Sequence, residues 1–115
     1  MGKNRVEYAI RIGPRDRYRH LHIKERGKIV FFRVQYESKI NQIWYPVVRY
    51  DTAHGFAHRD LLNHKGDSRK TPLFNQDLND ALTFAENDLK TNWELYKRRF
   101  LEGMRDEQRQ GNDRT

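Results

Sequence analysis

The chain has 115 residues, 36% hydrophobic and 34% charged, with a net charge of +7. That length holds one domain with a single modest core, and the absence of cysteine removes disulfides, thiolate metal sites and a cysteine nucleophile. No apolar run approaches the roughly 20 residues that cross a bilayer, and residues 1–7 lack a signal-peptide core, so a soluble, cytoplasmic protein with no membrane association is expected.

In chain order, Val6, Tyr8, Ile10 and Ile12 alternate with Glu7, Ala9 and Arg11, the period of a half-buried strand, and Gly13-Pro14 ends it. A weaker strand over residues 17–24 places Leu21 and Ile23 on one face and His20 and His22 on the other. Residues 25–28 read as a tight hairpin around Gly27. The strongest strand covers 28–37, with Val30, Phe32, Val34 and Tyr36 sharing a face. After a turn at 38–41, a fourth strand runs over 42–51, where Pro46 implies an edge position or a bulge. A break at 52–55 precedes a fifth strand over 56–63, a turn at 64–67 and a short last strand over 69–73.

From residue 75 the period changes. Leu78, Leu82, Ala85, Leu89, Trp93, Tyr96, Phe100 and Met104 form one helical stripe, with Asn75 as the expected N-cap. The helix is expected over 76–107 and the polar residues 108–115 as a disordered tail. About 30 helical residues span roughly 45 Å, more than a small sheet covers. The expected fold is therefore α+β: an antiparallel β-meander of about five or six strands covered by one long C-terminal amphipathic helix. The aromatic stripe reads as core packing.

The charge is uneven, with +6 in residues 1–30, +3 in 31–74 and −2 in 75–115. The strands are the basic part, which favours RNA or another nucleic acid, or an acidic protein, as partner. The thin core also leaves room for a homodimer. Arg15, Arg17 and Arg19, with Tyr18 among them, suit a phosphate backbone and a stacked base; Arg49, Lys65, Arg69 and Lys70 extend this candidate nucleic-acid-binding set. No phosphate-binding glycine loop, nucleophile elbow or glycosidase carboxylate pair is present, and no cofactor is expected.

Chemistry points to residues 49–65. His54, His58 and Asp60 or Asp51 could hold a divalent ion, but their spacing follows no established metal motif. Alternatively, His54 and His58 could serve metal-independent RNA cleavage as base and acid, with Asp51, Tyr50 and Arg59 completing the candidate catalytic set and arginines holding phosphate. A third reading is structural, with these side chains satisfying turn and strand-edge hydrogen bonds, including an Asx-turn at Asp51. The segment Arg49-Tyr50-Asp51-Thr52-Ala53-His54, followed by His58, resembles small basic prokaryotic proteins of the TumE-like kind. The resemblance implies a toxin of a toxin–antitoxin module, suspected action on RNA, and an acidic antitoxin-like protein as partner. From another class, a non-enzymatic interaction module would use its basic face to dock an acidic protein, or would assemble with itself.

Overall fold

Six runs become strands, with β-branched and aromatic residues concentrated in the first four. They are β1 (Lys3–Gly13), β2 (Asp16–Glu25), β3 (Lys28–Ile40), β4 (Ile43–Asp51), β5 (His58–Leu62) and β6 (Ser68–Pro72), in that order in one antiparallel sheet. The helix α1 (Leu78–Asp113) follows and packs on β3 and β4. The structure, a computed structural model, describes residues 2–73 and 77–113, the side chains of 108–113 excepted. A meander under one long helix is the architecture that the sequence led us to expect.

Two connections fix the hairpin registers. Arg26 and Gly27 have φ of 55° and 77°, and Asn41 and Gln42 have φ of 52° and 70°. Such left-handed pairs match the twist of the flanking strands. The second turn lies later than expected, because the ladder continues past Ser38, which pairs with Tyr45.

Bulges interrupt three ladders, at Arg11–Gly13, Ile23–Lys24 and Tyr36–Glu37, and the second corrects an expected face. Between Ile23 and Lys24 the partners step from Phe31 to Ile29, leaving Val30 unopposed. Ile29 therefore joins Phe32, Val34 and Tyr36 in the core, and Val30 is exposed. Tyr36 pairs with Val48 but Glu37 pairs with Pro46, so Val47 is the extra residue and Pro46 sits beside a bulge in an interior strand. On β2 the histidine His20 joins Tyr18 on the core side, since these residues lie opposite Val34 and Tyr36. Leu21 takes the other face, in register with Arg33.

The helix begins at a cap. Asp77 accepts the backbone N–H of Asn79 at 2.8 Å on its carboxylate and that of Ala81 at 3.0 Å on its carbonyl. Asn75, the expected cap, lies outside the described residues. The helix continues through Asp113 rather than ending at 107; Gln108, Arg109 and Gln110 are good helix formers, whereas propensity gives no account of the last turn through Gly111, Asn112 and Asp113. Its stripe packs as expected, with Leu82, Ala85, Leu89, Tyr96 and Phe100 buried, and Trp93 and Met104 against them. Polar anchors orient it. The Tyr50 and Tyr96 hydroxyls donate to Asp88 Oδ2 at 2.7 and 2.6 Å. Tyr36 donates to Asp16 Oδ1 at 2.7 Å, and Lys97 lies 3.2 Å from Asp16 Oδ2. Burial first, and the neighbouring carboxylates second, push the pKa of Tyr36 and of Tyr50 well up, so both stay neutral donors. Among the described residues no helix is long and apolar enough to cross a membrane.

Candidate functional site

Because α1 covers one face of the sheet, alternate residues of each strand meet solvent on the other. Register aligns them into rows. Ala9, Arg19, Gln35, Arg49, Asp60 and Lys70 are successive cross-strand partners, and so are Glu7, Leu21, Arg33, Asp51, His58 and Pro72. The rows are stitched by side chains. Arg49 donates to Gln35 at 2.7 Å, Gln35 donates to Glu37, and Arg17 and Arg19 lie 2.6 and 3.6 Å from the Glu37 carboxylate. The Arg17 guanidinium also stacks 3.9 Å over Trp44. Arg19, Arg33 and Arg49 line a groove of about 450 Å³ together with Glu7 and Gln35.

At the β4–β5 end the second row becomes a buried cluster. His58 is 1% exposed, Asp51 4% and Asp60 5%. His58 Nε2 lies 2.8 Å from Asp51 Oδ1 and 3.7 Å from Asp60 Oδ2. Asp51 also accepts the Ala53 N–H at 3.2 Å, an Asx-turn, and faces Arg33 at 3.4 Å. The Lys70 ammonium stands 3.2 Å from His58 Nε2 and 3.6 Å from Asp60 Oδ1. His54, exposed in the turn after β4, lies near His58 with ring centroids 5.9 Å apart. Gly55, with φ of 85°, gives that turn its left-handed bend.

Ligand atoms of Asp51, His58 and Asp60 fall within 4.8 Å of one another, a donor set suited to a divalent ion. Lys70 lies against the cluster and Arg33 faces Asp51, so the carboxylate charge is already offset. A metal ion here would have to displace the ammonium and break the His58–Asp51 contact. His54 is the exposed imidazole next to this buried cluster.

A family model described as a domain of unknown function, DUF7718, matches residues 1–106. The chain belongs to this family. No curated protein and no solved structure matches it. The match runs from β1 into the last part of α1, so the open face and the cluster both lie inside the DUF7718 domain.

The DUF7718 sheet brings together some of the residues singled out from sequence and separates others. Asp51, His58 and Lys70 meet, with His54 beside them, and Arg17, Arg19 and Arg49 share the open face with them. Tyr50 and Arg59 do not belong to the cluster. They pair across β4–β5 on the helix side, where Tyr50 is fully buried on Asp88 and Arg59 contacts the Tyr96 hydroxyl at 3.3 Å. Tyr18 is fully buried and cannot stack on a base from solvent; Trp44 is the aromatic on the arginine face. Arg15 is exposed at the β1–β2 turn, and Arg69 stands opposite Leu61 at the β6 edge. Lys65 lies in the β5–β6 turn, 3.6 Å from Glu107, which also faces His64 at 2.9 Å. Sequence reasoning passed over Arg33 and Gln35. Both follow from strand parity once β3 is set against β4, so the alternation of Arg33, Gln35 and Glu37 was the available signal.

Proposed function

We propose that this domain is directed at nucleic acid and cleaves RNA on its open sheet face, as a toxin of a toxin–antitoxin module would. The observation that carries the reading is a single continuous face on which Arg17, Arg19, Arg33 and Arg49 lead to His54 and the Asp51–His58–Asp60–Lys70 cluster. Guanidinium groups hold successive phosphates, and Trp44 offers a ring to a base. His54, the accessible imidazole, takes the proton of a ribose 2′-hydroxyl. The 2′-oxygen then bonds to phosphorus as the P–O5′ bond breaks, and Lys70 gives the departing 5′-oxygen its proton. The products are a 2′,3′-cyclic phosphate and a 5′-hydroxyl, with no metal in the step. His58 is too buried to touch substrate; its Nε2 faces Asp51, and the Asp60 carboxylate positions Lys70. The toxin assignment rests on the TumE-like segment at residues 49–58, and an acidic antitoxin-like protein would compete for the same arginines.

The test is degradation of a defined RNA in the presence of a chelator. His54→Ala and Lys70→Gln are each expected to slow cleavage by roughly 10²–10⁴-fold, with circular dichroism unchanged. Full activity in both variants, or activity abolished by the chelator, would remove this chemistry.

A further inference from the structure

The two edges of the sheet are built differently. β6 has five residues and ends on Pro72, features that deter a further strand. β1 has eleven residues, pairs only with β2 and contains no proline. Its Val6, Tyr8 and Ile10 are 38%, 38% and 42% exposed at alternate positions. A long edge with an exposed apolar row on one face is an open template for pairing.

The sequence of β1 identifies which strand fits it. Antiparallel pairing of β1 with itself must oppose residues of equal parity, so the central registers turn about Tyr8, Ala9 or Ile10. About Tyr8, Arg5 faces Arg11, a like-charge contact made twice. About Ile10, Arg11 faces Ala9 and Glu7 faces Gly13, so no charge is compensated. About Ala9, Glu7 faces Arg11 twice and Tyr8 faces Ile10, all within the regular part of β1. The smallest of these side chains then lies on the axis. Among the described residues Arg11 has no ion pair in its own chain, and its cross-strand neighbour is Arg17. Glu7 is held 3.1 Å from Arg5, with both side chains more than half exposed, and remains open to a second cation.

We propose that two copies of this chain join through β1, antiparallel about a two-fold axis at Ala9, into one continuous sheet sealed by reciprocal Glu7–Arg11 pairs. The axis is normal to the sheet, so both open faces lie on the same side and their arginine rows form one surface. The apolar residues of the two edge strands cover each other on the opposite side.

Light scattering over a concentration series tests this, reading a 14.0 kDa chain against twice that mass. Wild type is expected to dimerise. Glu7→Arg and Arg11→Glu each create two like-charge contacts and are expected to weaken the dimer by roughly tenfold or more. An equimolar mixture of E7R and R11E restores opposite charges at both contacts, as does the E7R/R11E double variant, and both should recover the dimer mass. This recovery also shows that each single variant is folded. A wild type that stays at 14.0 kDa throughout, single variants that dimerise like wild type, or a mixture that stays monomeric would overturn the proposal.

Discussion

His20 sits beneath Tyr8, whose ring stacks on it with centroids 4.6 Å apart, and its Nδ1 lies 2.7 Å from the Tyr18 hydroxyl. Its Nε2 lies 2.6 Å from His22 Nδ1. Burial, then the neighbouring His22 and Lys90, lower its pKa to about 4, and Glu86 at 3.2 Å does not reverse this. An unfolded histidine takes its proton near pH 6.5. Below that pH the unfolded chain binds a proton that the folded chain refuses, so this contribution to stability is complete above about pH 6.5 and is lost as the pH falls toward about 4. The Tm is expected to drop from about pH 7 to 5, and His20→Asn to flatten the drop; an equally steep drop in the variant would assign it to other groups. Strand alternation by itself puts His58 and Asp60 on one side of β5 and Arg59 on the other, and the register places them so. Tyr50 was grouped with Asp51 although adjacent strand residues point to opposite faces, and the alternation alone argued against joining them. The Lys70–His58 contact joins residues twelve apart through the β5–β6 pairing, and no local pattern contains that distance.

Strands and helix were legible from period and turn residues, while the bulge at Val30 and the strand partners were not. The run Ile29-Val30-Phe31-Phe32 is apolar on both parities, so the residue that faces the core is decided by the bulge opposite Ile23 and Lys24. Pro46 did announce its bulge, because a missing N–H has a local cause. The clamp on α1 was not foreseen. Tyr50 from β4 and Tyr96 from α1 share one oxygen of Asp88, whose other oxygen accepts Asn92 at 2.8 Å. Asp88→Ala strands two mostly buried hydroxyls and is expected to cost about 2–4 kcal/mol in urea unfolding. A loss below about 0.5 kcal/mol, the size of an ordinary surface substitution, would show that apolar packing alone holds the helix.

Across the whole molecule, charge and fold are arranged together. The strands carry the positive excess, and α1 is the near-neutral cover on one face. That division was readable from composition, whereas the convergence of the arginines on one open face required the register of five strand pairs. Titration of labelled single-stranded RNA at several salt concentrations, with wild type and Arg19→Gln/Arg33→Gln/Arg49→Gln, tests this most directly. Wild-type affinity should fall steeply with salt, and removing three phosphate contacts should reduce the log–log slope by about 2. Affinity that ignores salt, or a triple variant that binds with the wild-type slope, would contradict the assignment of the open face to nucleic acid.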